Sequence, residues 1–255
     1  MSGKVQQITV GFVGLGQMGK PMAKNLVSKG FRVTVSGHIR KEPVEELRTL
    51  GATVADSPKE LAEGSDVIVV MVRDTAQTEE AVRGKGRYWQ GKGIWQGIKK
   101  GATLIICSTV ESAYCQQLAE EALGKGVAIL DAPISGGPPG AKSGTLTFMV
   151  GGRKEVFERC EPIFRAMGSR IFYVGDSGMG QVVKAVNNYM AIANCFAASE
   201  AINLGLKAGL RLDSILEVTR NSSGSSWIVD KWDQFMLLKG DYERRGESGT
   251  IGLFA

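Results

Sequence analysis

Histidine is almost missing from this chain of 255 residues: His38 stands alone. A mechanism that needs a catalytic histidine anywhere else is excluded. Cysteine is scarce as well. Cys107, Cys115, Cys160 and Cys195 form no C-x-x-C pair, and they read as reduced core or surface thiols of a cytoplasmic protein. No run of about 18 apolar residues exists, and the first residues do not join a basic region to an apolar stretch. Membrane insertion and secretion are therefore not expected. There is also no basic stripe with interleaved aromatics, although the formal net charge is +5 and the pI near 9.0. The charge is spread along the chain, apart from small clusters such as Lys99-Lys100 and Arg244-Arg245. Nucleic acid is not an expected partner, whereas anionic ligands are favoured. The hydrophobic fraction of 43% and charged fraction of 22% are those of a globular protein with one large or two modest domains.

What is present concentrates between Ile8 and Gly30. Ile8, Val10, Phe12 and Val13 form a short apolar run, as a buried parallel strand requires. Gly14-Leu15-Gly16-Gln17-Met18-Gly19 follows, a G-x-G-x-x-G. Met22, Ala23, Leu26 and Val27 then recur at helical spacing, and Gly30 ends the pattern. Strand, glycine turn and helix in this order read as the opening unit of a dinucleotide-binding fold, with a purely structural turn as the plainer alternative. Gly14 lets the chain reverse, Gly16 lets a pyrophosphate approach the backbone, and Gly19 lets helix and strand pack closely. The helix offers free N–H groups and its positive dipole end to the phosphates.

Strands are expected at Phe31 to Val35, Thr53-Val54, Asp66 to Val72, Thr103 to Cys107, Val127 to Leu130, Leu146 to Val150 and Arg170 to Val174. Helices are expected at Val44 to Leu50, after the Ser57-Pro58-Lys59-Glu60 cap, and at Thr78 to Arg83, Glu111 to Leu123 and Val156 to Met167. The alternation indicates a parallel, doubly wound Rossmann-type sheet. Gly84 to Gly97, with Tyr88, Trp89 and Trp95, reads as a surface excursion tucked by its aromatics, or else as a stacking platform for bases. After the second strand comes Ser36-Gly37-His38-Ile39-Arg40-Lys41, with no acid before Glu42. An acid there would accept from the ribose of NAD. Hydroxyl and cationic groups suit a 2′-phosphate, so NADP is favoured over NAD, with Arg40 as the phosphate partner and His38 at the ribose. Arg40 and Lys41 also fit plain loop charges.

Asp131 to Leu146 is a second glycine-rich stretch, either a cradle for a carboxylate aided by the Ser135 hydroxyl or a Pro-Gly turn before a strand. From Gly180, apolar residues at helical spacing run for about thirty positions, about 45 Å of helix. That is enough to lead from the sheet into a second, all-helical domain. Lys184 and Asn188 share a face of it. Lys184, amid Val182, Val183, Ala185 and Val186, reads either as a desolvated lysine of lowered pKa or as an ordinary exposed helix residue. Asp213 to Arg220 and Ser226 to Leu238 read as further helices.

Taken together, GFVGLGQMGKPMAKNL, Ser108-Thr109, DAPISGGPPGAKSGTLTFMVGG and GMGQVVKAVNNYM resemble, in this order, the β-hydroxyacid dehydrogenases, which include 3-hydroxyisobutyrate dehydrogenase and tartronate semialdehyde reductase. The resemblance covers nearly the whole chain. It implies a dinucleotide-binding domain over residues 1–177 and a helical substrate and oligomerisation domain over 178–255. It implies NAD(P)-dependent interconversion of a short β-hydroxy acid and its semialdehyde or keto form. Lys184 becomes the acid/base, Ser135, Gly136 and Gly137 the binders of the substrate carboxylate, and Asn188 a substrate-positioning group. Gly14 to Gly19, Val72, Arg73, Gln77 and Thr109 lie beside the cofactor, and His38 and Arg40 in the segment that sets NAD or NADP preference. No metal is needed, and a homodimer or homotetramer is expected. Family members continue with a Lys-Asp-Leu segment, so this chain reads as short at its C-terminus. Two other readings are a dinucleotide-binding sensor or scaffold without turnover, and an imine reductase, in which the lysine is usually replaced. Phosphogluconate dehydrogenase fits less well, because Lys184 is followed by Asn187-Asn188 without the expected histidine.

Overall fold

The computed structural model describes residues 8–37 and 41–232. By internal contacts the chain divides into two compact units, Met1–Lys184 and Ala185–Ala255.

The first unit begins with β1 (Thr9–Val13), α1 (Gly19–Ser28), β2 (Arg32–Ser36), α2 (Glu42–Thr49), β3 (Thr53–Val54) and α3 (Pro58–Gly64). It continues with β4 (Val67–Val70), α4 (Thr75–Arg83), β5 (Thr103–Ile106), α5 (Ser112–Lys125) and β6 (Ala128–Asp131). Next are β7 (Ile134–Ser135), α6 (Gly137–Ser143), β8 (Leu146–Gly152), α7 (Lys154–Met167), β9 (Gly168–Gly175) and α8 (Met179–Lys207). The strands form one sheet in the order β3-β2-β1-β4-β5-β6-β8-β7, with β9 also paired to β8. The pairs from β3 through β6 are all parallel.

Both faces of this sheet are covered, which explains the unbroken apolar runs of β4 and β5. Alternate side chains enter two separate cores. Val10, Phe12, Val67, Val69 and Ile105 pack with Met22 and Leu26 of α1 and Phe164 of α7. Val13, Ile68, Val70, Leu104 and Ile106 pack with Leu61 of α3, Val82 of α4 and Leu118 of α5. The α3 start is built as its residue types require: the Ser57 hydroxyl accepts from the Glu60 N–H at 3.2 Å, and the Glu60 carboxylate accepts from the Asp56 N–H at 2.8 Å. The excursion at residues 84–97 is tucked in by Trp89 and Ile94, both buried.

Two expectations are corrected. The sheet is not parallel throughout: β8 runs antiparallel to β6 and to β7. The chain from Asp131 is also more than a glycine loop. It contains β7 and α6, with Pro138 and Pro139 in the first helical turn, where a missing N–H costs nothing. Pro162 inside α7 is likewise carried by the helix, because Phe164, Ile163 and Cys160 anchor that face in the core.

The second unit holds the remainder of α8, then α9 (Leu212–Arg220) and α10 (Trp227–Asp230). Ala198, Ile202, Leu216, Ile228, Val229 and Trp232 form its core. The expected helix at Ser226 to Leu238 is described only as far as Trp232; the rest lies outside the described residues.

Candidate active site

Strand order reverses at β1, which pairs with β2 on one side and β4 on the other. The glycine turn opens at that switch point, outside the carboxyl ends of the strands, where open α/β sheets bind ligands. Each glycine of the turn meets a different constraint. Gly14 has φ +98°, and a Cβ there would stand 2.1 Å from the Met71 carbonyl. A Cβ on Gly19 would stand 1.8 Å from the Gly14 carbonyl. A Cβ on Gly16 would meet nothing within 4 Å, so protein packing does not explain this glycine. The α1 N-terminus receives no side-chain cap and has no acid in its first turn, which leaves N–H groups and positive potential for an anion. These residues fit the pyrophosphate of a dinucleotide.

The neighbouring strand ends complete this edge. The Met71 N–H donates to the Val13 carbonyl at 2.9 Å, and the Val72 N–H donates to the Ser108 hydroxyl at 2.9 Å. Gly14, Val72 and Thr109 thus lie on adjacent strand ends. Asp74 caps α4 by accepting from the Gln77 N–H at 2.8 Å, while the Gln77 side-chain oxygen accepts from the Arg73 N–H at 3.2 Å. Arg73 and Gln77 therefore hold each other. At the end of β2 the buried Ser36 hydroxyl has no hydrogen-bond partner among the described residues. His38 and Arg40 lie outside the described residues.

Ser135 ends β7, Gly136 precedes α6 with φ +127°, and Gly137 opens the helix with φ +60°. No side chain caps α6. Asn25 of α1 holds the helix in place by donating to the Ala141 carbonyl at 2.8 Å.

Sequence reasoning missed the anchoring of α8. Asp131, at the end of β6, is fully buried. Its carboxylate accepts from the N–H of Gly178 at 2.7 Å and of Gln181 at 3.0 Å. Desolvation raises its pKa, opposed by these backbone hydrogen bonds. The Gln181 side chain, also buried, accepts from the Val110 N–H at 3.1 Å and donates to the Ser108 carbonyl at 2.9 Å. The available signals were an acid ending an apolar strand and a polar amide in the first turn of an apolar helix. One turn beyond Gln181 is Lys184. It is partly buried, and no hydrogen bond or ion pair to its amine is found among the described residues. Desolvation lowers its pKa below the ordinary lysine value. Asn188 follows one turn later, and its side-chain oxygen accepts from the Asn187 amide at 3.4 Å.

A doubly wound sheet with an open glycine at its switch point and an uncapped helix N-terminus beside it defines a dinucleotide-binding protein. Comparison with known proteins narrows this class. Residues 9–175 match the family described as the NAD binding domain of 6-phosphogluconate dehydrogenase, and residues 178–251 match that described as NAD-binding of NADP-dependent 3-hydroxyisobutyrate dehydrogenase. The chain belongs to the β-hydroxyacid dehydrogenase family of NAD(P)-dependent enzymes.

Among its relatives is the NAD-dependent L-serine dehydrogenase of Pseudomonas aeruginosa, 37% identical over 88% of this chain and 73% of that one. The 2-(hydroxymethyl)glutarate dehydrogenase of Eubacterium barkeri is 34% identical over 93% of this chain and 76% of that one. The crystal structure of 3-hydroxyisobutyrate dehydrogenase from Salmonella typhimurium superposes with a TM-score of 0.78 at 30% identity, covering 94% of this chain and 81% of that one.

Proposed function

We propose that this chain interconverts a short β-hydroxy acid and its semialdehyde, using NADP in preference to NAD, with Lys184 as the general acid/base. The named substrates of the three relatives share one skeleton, a primary alcohol on the carbon next to a carboxylate-bearing carbon, and differ in the group on that middle carbon. The proposed substrate has this skeleton. One observation carries the reading: a partly buried lysine of lowered pKa, without a carboxylate partner among the described residues, on a helix tied to the strand ends beside the glycine turn.

The nicotinamide, when bound, donates or accepts the hydride. The protein supplies orientation and proton transfer. In reduction the Lys184 ammonium donates a hydrogen bond to the aldehyde oxygen and passes a proton to the forming alkoxide. In oxidation the neutral amine accepts the hydroxyl proton. The Ser135 hydroxyl and the Gly136 and Gly137 N–H groups hold the carboxylate, and Asn188 orients the substrate one turn from Lys184. Gly14 to Gly19 would hold the pyrophosphate, with Val72, Arg73, Gln77 and Thr109 beside the cofactor.

NADP preference rests on the absence of an acid between Val35 and Glu42 and on His38 and Arg40 as ribose and 2′-phosphate partners. Residues 1–177 serve the cofactor, and residues 178–255 serve the substrate and assembly. A homodimer or homotetramer is supported by exposed apolar side chains of the second unit, Tyr189, Met190, Phe196 and Leu204 among them. A cytoplasmic location is supported by four free cysteines; among the described residues no helix is long and apolar enough to cross a membrane.

The test is oxidation of L-serine, 3-hydroxyisobutyrate and 2-(hydroxymethyl)glutarate with NADP and NAD, in the native chain and in Lys184→Ala. Turnover that disappears in the variant while cofactor binding persists supports the reading. Equal turnover in both removes Lys184 from it.

A further inference from the structure

Gln181 occupies an unusual place for a helix residue. It is 3% exposed, yet its backbone N–H and both polar atoms of its side chain are engaged with other elements. Its backbone N–H donates to Asp131 of β6. Its side chain reaches the chain after β5, where Ser108 and Val110 lie beyond the last ladder pair and need a partner for one carbonyl and one N–H. A primary amide is the side chain that offers one acceptor and a donor side by side. Ser108 and Val110 flank Thr109, which is left exposed between the two anchors. Ser108 also accepts from the Val72 N–H through its hydroxyl. One side chain therefore joins the ends of β4 and β5 to the first turn of α8.

Small residues make the close approach possible. A Cβ on Gly180 would stand 2.4 Å from the Met149 carbonyl and 2.7 Å from the Asp131 carboxylate. A Cβ on Gly178 would stand 2.5 Å from the Ser112 hydroxyl, which itself donates to the Gly178 carbonyl at 3.0 Å. The first turn of α8 is thus fixed from three directions, by β6, by the chain after β5 and by α5. Lys184 follows Gln181 by three positions, so an i, i+3 relation carries the fixed geometry to its Cα.

We infer that Gln181 is a positioning residue that locks the orientation of Lys184 to the Thr109 loop, so that the proton-transferring amine and the cofactor-facing strand ends move as one body. This rests on the proposed role of Lys184. A misplacement of about 1 Å at such a group can cost about a hundredfold in rate, so the clamp acts on kcat rather than on substrate capture.

The experiment compares the native chain with Gln181→Met, Gln181→Glu and Lys184→Ala. Folding is checked by cooperative unfolding. NADPH affinity is read by titration, and kcat and KM with 3-hydroxyisobutyrate and NADP. The reactivity of Lys184 towards acetic anhydride is followed by mass spectrometry across pH. Gln181→Met is expected to bind NADPH within about threefold of native and to lose about tenfold or more in kcat with little change in KM. Its Lys184 labelling midpoint should rise towards that of exposed lysines.

Gln181→Glu supplies the second arm. Its protonated carboxyl can accept from Val110 and donate to Ser108, whereas its anion faces the Ser108 carbonyl and has Asp131 of β6 and Cys115 of α5 beside it. Its activity relative to native should therefore climb as pH falls. A folded Gln181→Met with native kcat and native Lys184 labelling overturns the inference. So does lost activity with unchanged labelling, which would mark Gln181 as merely structural. If the Met variant does not fold, a pH-independent activity ratio in Gln181→Glu overturns it. The labelling arm needs no turnover, so it decides the clamp even when 3-hydroxyisobutyrate is not a substrate. Full activity in Lys184→Ala would refute the proposed mechanism without touching the clamp.

Discussion

The carboxylate of Asp131 accepts the backbone N–H of Gln181 at 3.0 Å although 50 residues separate them. Together with the hydrogen bond from Gly178, this makes a strand end the cap of α8 and starts the helix against the sheet. A charge-assisted cap of this kind is worth more than an exposed one, because nothing replaces it when it is removed.

Asp131→Ala should therefore destabilise the chain by about 2–4 kcal/mol. The buried N–H groups of Gly178 and Gln181 would be left without an acceptor. Urea unfolding at neutral pH checks this; a loss below about 0.5 kcal/mol would show that water or another group takes over the cap.

The lowered pKa of Lys184 sets the sign of the pH dependence. Reduction needs the ammonium, so its kcat should fall as pH rises through the depressed value, earlier than for an ordinary lysine. Oxidation needs the neutral amine and should rise over the same range. Lys184→Ala should cost about 10²–10⁴-fold in kcat in both directions, while NADPH titration stays near native. Parallel pH profiles in the two directions would contradict the assignment.

The glycine turn offers a separation of stability from binding. Gly19→Ala forces a contact of 1.8 Å with the Gly14 carbonyl and should cost about 2 kcal/mol or more. Gly16→Ala enters open space and should stay within about 1 kcal/mol of native, yet weaken NADPH binding about tenfold or more by standing where the pyrophosphate approaches. Calorimetric titration and thermal unfolding of the two variants measure both effects.

A partly buried cluster of one arginine and two carboxylates away from the site gives a further check. Arg83 of α4 lies 2.7 Å from the Glu79 carboxylate and also pairs with Glu121 of α5. Arg83 holds the Glu121 carboxyl below its ordinary pKa. Stability from Glu121 is therefore present above the unfolded carboxylate value and lost as pH falls through the lower folded one. Arg83→Met should cost about 1–3 kcal/mol at neutral pH, and the gap to native should narrow in acid. Denaturant midpoints across pH test it.

Much of this protein is local and was legible as such. The three glycines of the turn, the Ser57-Pro58-Lys59-Glu60 cap and the proline-free run of α8 are each specified within a few residues, by backbone sterics, hydrogen-bond geometry and side-chain period. Those terms act over one turn or one pleat, so the sequence by itself determined the strand-turn-helix opening, the doubly wound alternation and the length of α8. Other features belong to the tertiary structure alone. Gln181 meets Ser108 across 73 residues, β8 turns antiparallel beside β6, and a glycine stretch becomes β7 and α6. Each depends on which distant carbonyl or N–H remains unpaired once the sheet has closed, and no periodicity records that. Lys184 shows the division most clearly: its position on an apolar helix was visible in the sequence, but its desolvation and its anchoring through the preceding turn exist only because α8 starts against the ends of β5 and β6.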